Sequence, residues 1–339
     1  MLCCADCIDD RHLRRYVIPD LSNVNGTCSF CKSENQPLIR PIDLRDQFEL
    51  LISIYKLDES GKTLVELLKS DWGMFPNERL DAPQAKELLA EILDDGEIVR
   101  HRYSPLEHSK SIAIKHWEEL RAELMHVNRF FPKTEINLSQ LKDLFSNLLA
   151  EEKDISQIWH RARIQQGEKI YTGDEMGSPP AHLASHGRAN PAGIPYLYLA
   201  SNISTAISEI RPHTGETICV ASFDIPKNLN IVDLRHPRKT VSPFISQDEN
   251  LVVVLRGNIE FLEQLGKELT RPVLPKSAAF DYIPSQYLCE YAKMCGYDGV
   301  MYRSSVGEGK NIALFDPAKA EIQDVSQHYV SSVSVTIAE

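Results

Sequence analysis

The spacing of apolar positions changes character about half-way along the chain. From about 41 to 153 they recur at three- and four-residue intervals. Leu44, Phe48, Leu51, Ile52 and Tyr55 form one stripe, Leu88, Leu89 and Ile92 a second, Trp117, Leu120, Leu124 and Val127 a third, and Leu141, Leu144, Phe145, Leu148 and Leu149 a fourth. That period puts each set on one face of an amphipathic helix. Asp81-Ala82-Pro83 supplies a capping carboxylate and a first-turn proline ahead of the second stripe, the pattern of a helix start. The third stripe predicts a helix over 109–130. Gly61, Gly73-Met74-Phe75-Pro76 and Pro132 punctuate the stretch, so it predicts a small helical bundle.

Beyond the acidic run Glu151-Glu152-Lys153-Asp154 the apolar runs become short and β-branched or aromatic. They predict strands over 196–200, 217–223, 231–234, 299–302 and 312–315, and helices over 203–211 and 285–295, the second stopped by Gly296. Val333, Val335 and Ile337 alternate, which fits either an extra edge strand or a loose end. The pattern reads as an α+β chain in four parts: a cysteine-bearing module over 1–40, a helical domain over 41–153, a mixed domain over 154–325 and a tail over 326–339.

At 339 residues the chain exceeds the usual single-domain size of about 100 to 150 residues, in line with that division. Hydrophobic residues make up 42% and charged residues 25%, an ordinary globular balance. The net charge of −11 argues against a broad electrostatic grip on nucleic acid or anionic lipid and favours small molecules or protein partners. No apolar run approaches the roughly 20 residues that span a bilayer. The opening Met1-Leu2-Cys3-Cys4 has no basic-then-apolar secretory pattern. The chain reads as cytoplasmic.

The cysteines are distributed unevenly. Cys3, Cys4, Cys7, Cys28 and Cys31 crowd the start, whereas Cys219, Cys289 and Cys295 stand in apolar surroundings and read as buried free thiols of a reducing compartment. Cys4-x-x-Cys7 and Cys28-x-x-Cys31 make a paired CxxC arrangement close to the spacing of structural zinc sites. Each turn can present two thiolates to one tetrahedral ion, and Gly26 loosens the second. Four sulfur ligands close the coordination sphere, so a zinc ion there is structural. Cys3 leaves the register of the first pair open.

The candidate chemistry gathers in 187–209, G-R-A-N-P-A-G-I-P-Y-L-Y-L-A-S-N-I-S-T-A-I-S-E. An arginine in a Gly/Pro/Asn loop leads through a short strand to a helix with one acid, Glu209, among Ile203, Ala206, Ile207 and Ile210. A carboxylate at the edge of a buried face needs a partner or a purpose. Joined guanidinium and carboxylate groups suit a ligand with a phosphate and a centre of developing positive charge, such as a dinucleotide. Arg161, Arg163, Arg188, Tyr198 and the segment from Ser304-Ser305 to Asn311 sit at strand ends and in loops, where sites form. Gly307-Glu308-Gly309-Lys310 has no Walker spacing around it and reads as a hairpin turn.

Arg161 in W-H-R-A-R, the arginine loop, Glu209 and G-Y-D-G-V-M-Y-R-S-S-V-G-E-G-K-N-I-A-L-F together resemble the RES domain, named for an arginine, a glutamate and a serine. The resemblance covers roughly 155 to 320, with its motifs in order. The region ahead of it is similar, less specifically, to the cysteine-bearing HEPN-like helical region that precedes some RES domains. The resemblance implies a fold similar to ADP-ribosyltransferases and an activity on NAD, either cleaving its nicotinamide–ribose bond or passing ADP-ribose to a protein or metabolite. Arg161, Arg188, Glu209 and Ser304 take the family positions, with Arg163 competing for the first and Ser305 for the last, and Tyr198 matches the tyrosine after the loop. In that scheme Glu209 faces the ribose cation, Arg161 and Arg188 hold the pyrophosphate, Tyr198 stacks on nicotinamide, and Ser304 and Asn311 bond the ribose or carboxamide. The resemblance also implies a toxin or phage-defence role, an antitoxin or other regulatory partner, and a homodimer. A separate reading makes the helical region a HEPN ribonuclease, on Arg121-x4-His126 or Arg102-x5-His108, with the second domain sensing a nucleotide.

Overall fold

The computed structural model describes residues 1–106, 113–155, 157–274 and 276–334. His108, the predicted helix start at Ser109, Val335 and Ile337 lie outside the described residues. The chain forms two compact units, one of Met1–Lys115 with His236–Glu263 and one of His116–Arg235 with Gln264–Glu339.

In the first unit the opening segment pairs strand β1 (Val24–Gly26) with β2 (Gln36–Leu38), and Cys3 bridges Ile39. Helices Arg45–Ile52, Leu64–Trp72 and Ala82–Leu93 follow. Asp81 caps the last as the sequence predicts: its carboxylate accepts from the Gln84 amide at 2.8 Å, and the Gln84 side chain accepts from the Asp81 amide at 3.0 Å. The cap satisfies amides that the first turn leaves open, and Leu88, Leu89 and Ile92 are buried as expected. The stretch is not wholly helical, however. Strands β3 (Tyr55–Thr63) and β4 (Arg102–Pro105) form an antiparallel pair with a register shift between Leu57 and Lys62. Gly61 makes the pair possible, since a Cβ there would stand 2.1 Å from the Tyr103 carbonyl oxygen.

Helix Glu249–Thr270 belongs to the first unit up to Glu263 and to the second from Gln264. The second unit also holds most of helix Ala113–His126, which buries Trp117, Leu120 and Leu124 of the third apolar stripe but ends before Val127, which is exposed, and helix Leu138–Ser146. Its centre is a seven-stranded sheet of β5 (Trp159–Ile164), β6 (Leu197–Ala200), β7 (Thr217–Asp224), β8 (Ile231–Asp233), β9 (Gly299–Arg303), β10 (Lys310–Leu314) and β11 (Glu321–Tyr329), in the order β11-β7-β5-β6-β10-β9-β8. Only the β8–β9 pair is parallel. Five of these strands are the ones predicted from short apolar runs. One edge strand is β11, which ends before the alternating valines, the other is β8, and β5 comes from the W-H-R-A-R-I segment. Helices Ile203–Glu209 and Ile283–Met294 stand where expected.

Successive strand residues face opposite sides of a sheet, and each side has its own apolar layer. Trp159, Leu197, Leu199, Phe223, Met301, Ile312 and Leu314 pack on one side. Ala162, Ala200, Ala206, Ile218 and Val220 form the smaller layer on the other, where helix Ile203–Glu209 lies. Arg235 bonds both Asp233 and Asp154, and Lys310 bonds Asp154 at 2.8 Å, which anchors the start of β10. No helix among the described residues is long and apolar enough to cross a membrane.

Candidate active site

β5 and β6 meet at a single residue pair, His160 with Ala200. Extending that register would set Arg161 against Leu199 and Ala162 against Tyr198. Those two pairs do not form, and the four residues instead line a cavity of about 340 Å³, with His186, Arg188, Glu209, Tyr282, Tyr302 and Asn311 among its other walls. The volume falls in the ligand-pocket range of roughly 300 to 1,000 Å³. The sheet is therefore split where the candidate chemistry lies.

Arg161 stands in this parting. Its Nε is buried and has no hydrogen-bond partner among the described residues. Burial, with repulsion from Arg163 added, lowers its pKa to about 10, so it stays cationic at neutral pH. A buried guanidinium without an acid is costly and marks a place for an anion. The competing Arg163 is used elsewhere: it is exposed, donates to the Glu175 carbonyl and lies 5.1 Å from the centre of the Tyr171 ring.

The arginine loop is fixed by its own side chains. The Tyr198 hydroxyl accepts from the amides of Ala189 at 2.9 Å and Asn190 at 3.2 Å and donates to the Asn190 side chain at 2.7 Å. The Asn190 amide group donates to the Ser185, Pro191 and Ile194 carbonyls. Gly187 has no room for a side chain, since a Cβ would stand 2.4 Å from the Asn190 oxygen and 2.5 Å from the Tyr198 hydroxyl. Burial drives the Tyr198 phenol well above its ordinary value, so this hydroxyl is a neutral clasp and only the ring is left to face a ligand. Held in this way, Arg188 donates to the Arg271 carbonyl at 2.8 Å and to the Ser305 hydroxyl at 2.9 Å, and sits 5.4 Å from the centre of the Tyr282 ring.

Glu209 ends its helix with Oε1 accepting from the Ser304 hydroxyl at 2.7 Å and from the Asn311 amide group at 2.6 Å. Oε2 has no partner among the described residues. Ser304 is itself set by the turn after β9: its hydroxyl accepts from the amides of Val306 at 3.1 Å and Gly307 at 3.0 Å. Both serines are thus used, Ser304 on the carboxylate and Ser305 on the guanidinium. The turn is the hairpin between β9 and β10 that the sequence suggests, and it packs close to Thr205, which a Cβ at Gly309 would meet at 2.3 Å.

The structure brings Arg161, Arg188, Tyr198, Glu209 and Asn311 to one cavity, sets Ser304 and Ser305 behind it, and leaves Arg163 outside. Sequence reasoning missed His160, Tyr282 and Tyr302 in the walls, and Ser285 and Gln286, which donate to the Arg188 and Gly187 carbonyls. Tyr302 stands two residues from Ser304, so strand alternation would have found it, whereas His160 faces the opposite side of β5 from Arg161 and enters the cavity only because the strands part there. Elsewhere in the second unit Arg121 donates to the buried Glu268 carboxylate at 2.8 Å, and the His126 ring lies 6.1 Å from Phe280. In the first unit Arg102 donates to the Gly61 carbonyl.

The Sγ atoms of Cys4, Cys7, Cys28 and Cys31 lie within 4.8 Å of one another. Two pairs are closer, Cys4 to Cys31 at 3.5 Å and Cys7 to Cys28 at 3.3 Å. A tetrahedral ion with bonds of about 2.3 Å sets sulfur atoms roughly 3.8 Å apart, so the donor set fits a metal of the zinc type with small adjustment. Cys3, also buried, is outside the set. Cys219, Cys289 and Cys295 are free thiols.

Comparison with curated proteins returns no match. Among solved structures the chain is similar to one chain of the M. tuberculosis MbcT-MbcA toxin-antitoxin complex, with 13% identity, a TM-score of 0.33, and coverage of 57% of this chain and 93% of that one. The family model of the RES domain matches residues 158–336, which is more than half of the chain and contains every wall of the cavity. The protein belongs to the RES domain family.

Proposed function

We propose that the cavity binds NAD and cleaves the bond between nicotinamide and ribose, on an ADP-ribosyltransferase-like scaffold. The observation that carries this reading is the pairing, in one cavity, of an unpartnered cation, Arg161, with a carboxylate oriented by two donors, Glu209. Nicotinamide in NAD is already cationic and leaves as a neutral base, so no acid is needed and charge develops on the ribose, as in glycoside cleavage. A carboxylate fixed in advance stabilises that cation without reorganising during the reaction. Arg161 and Arg188 bind the pyrophosphate through forked, charge-assisted bonds that lysine copies poorly. Tyr198 and Tyr282 offer ring faces to the bases.

The ADP-ribose then passes to water, to phosphate or to a macromolecular acceptor. A ribonuclease centred on Arg121 is disfavoured, because that guanidinium is taken up by Glu268. Zinc held by Cys4, Cys7, Cys28 and Cys31 would stiffen the opening module over 1–40 and take no part in the reaction. We further propose from the family that the protein is a toxin or defence effector, restrained by a partner or by its own first 153 residues. The purified chain incubated with NAD is expected to release nicotinamide, and Glu209→Gln to abolish most of that release. Intact NAD after prolonged incubation would leave a binding module in place of an enzyme.

A further inference from the structure

The strand register places one row of side chains across the floor of the cavity. His160 pairs with Ala200, Ala200 with Asn311, and Asn311 with Tyr302. Directly paired residues of antiparallel strands share a face, so all four point to the side of helix Ile203–Glu209, and all four line the cavity. Strands lie about 4.8 Å apart, which sets His160 roughly 10 Å from Asn311. Asn311 donates to Glu209, so the carboxylate lies toward the Asn311 and Tyr302 side of the row, and the imidazole ends the other side. The residue between them is Ala200, which lines the cavity and also packs with Ala206 of the helix.

Two further observations give His160 a role. Its ring has no hydrogen-bond partner among the described residues, whereas Tyr198, Glu209 and Asn311 are each tied to the protein. Burial also lowers its pKa from the ordinary imidazole value, so at neutral pH it holds a free lone pair. His186, the other histidine of the cavity, is exposed on the Arg188 flank, with its ring 6.5 Å from Tyr282.

Building on the NAD-cleaving reading, we propose that His160 is the general base of the acceptor step and that the part of the cavity beside its ring is the acceptor subsite, taking water or another neutral hydroxyl. The oxygen of water forms a bond to C1′ of the ribose as the bond from C1′ to the nicotinamide nitrogen breaks. That electron pair leaves with nicotinamide, which becomes neutral, and the proton of the attacking water passes to a ring nitrogen of His160. The products are nicotinamide, ADP-ribose and one proton, later released to solvent. An anionic nucleophile carries no proton to be removed and does not need this base.

The test is a partition experiment in phosphate-free buffer with sodium azide, reading ADP-ribosyl azide against ADP-ribose for wild type, His160→Gln and His160→Asn. The ratio counts only turnovers, so it is independent of how much protein is folded. General-base assistance is commonly worth 10²- to 10⁴-fold, and the azide-to-water ratio is expected to rise at least about tenfold in both variants. An unchanged or lower ratio, or loss of both products, overturns the proposal. So does a wild-type chain that cleaves NAD only when phosphate is present. Absence of nicotinamide release from wild type under every condition would instead overturn the NAD reading itself.

Discussion

Replacing Glu209 with glutamine removes one charge and little else. Oε1 accepts both structural bonds, from Ser304 at 2.7 Å and from Asn311 at 2.6 Å, and the amide oxygen of glutamine can accept the same two. The fold and the position of the side chain are therefore retained, while the lost charge is the one that the proposed mechanism turns toward the ribose. Two unit charges about 4 Å apart interact by about 4 kcal/mol at an effective dielectric of 20. A half-developed cation would feel about half of that. At 1.36 kcal/mol per tenfold, nicotinamide release should fall roughly 30- to 1,000-fold, in the range seen when one preorganised group is removed from other enzymes. The assay is the initial rate of nicotinamide release under saturating NAD, with NAD affinity and the melting temperature measured on the same preparation. Affinity and melting should stay near wild type, because the carboxylate is assigned to the transition state and not to substrate binding. A drop below threefold, or a loss of rate matched by an equal loss of affinity, refutes the argument.

Arg161→Met should lower NAD affinity at least tenfold and raise the melting temperature, because a buried cation with no acid beside it is replaced by an apolar chain of similar reach. Removing an uncompensated buried charge is stabilising and should raise the melting temperature by a few degrees, and an unchanged affinity with a lower melting temperature would contradict the anion-site assignment. The two serines should separate kinetically: Ser304→Ala loosens Glu209 and lowers kcat, whereas Ser305→Ala frees Arg188 and raises KM. Each effect should be about tenfold, from a charge-assisted bond worth about 1.5 kcal/mol or more, and identical profiles for both variants would show that the division between the two ends is wrong. Native mass spectrometry should find one zinc per chain, absent from Cys28→Ser, with a lower melting temperature after chelation; a metal-free wild type of unchanged stability would remove the metal from the account.

The apolar pattern was informative where a strand is buried on both faces. β6 through β10 are such strands: Leu197, Val220, Val232, Met301 and Ile312 are all nearly inaccessible, and the runs stand out from the turns around them. β11 left no such trace. It pairs along its length with β7 alone, carries a bulge between Ile322 and Asp324, and none of its residues is fully buried. β3 is mostly exposed and depends on Gly61, so a polar stretch inside a helical region gave no period of its own. Helix Glu249–Thr270 is a different kind of miss. Val252, Leu255, Ile259, Leu262, Leu265 and Leu269 are buried at steps of three and four, a stripe as clear as those that were read. What no local pattern carries is its division, one part packing with residues before 116 and the other with the sheet unit.

β5 explains why the site was legible as residue types but not as a place. A strand at the centre of a sheet ordinarily alternates apolar residues toward each layer, and W-H-R-A-R-I puts Arg161 and Arg163 where apolar residues would follow Trp159. Local rules are broken where a site replaces the core, and here the break coincides with the parting from β6 that opens the cavity. The choice between Arg161 and Arg163 therefore could not be made from the motif. It depends on Glu175 and Tyr171 engaging one arginine, while the Nε of the other finds no partner among the described residues. The choice between Ser304 and Ser305 proved not to be a choice. Adjacent hydroxyls in one turn reach opposite ways, to Glu209 and to Arg188, so the turn fixes the carboxylate and the guanidinium relative to each other. Any shift of that turn must move both.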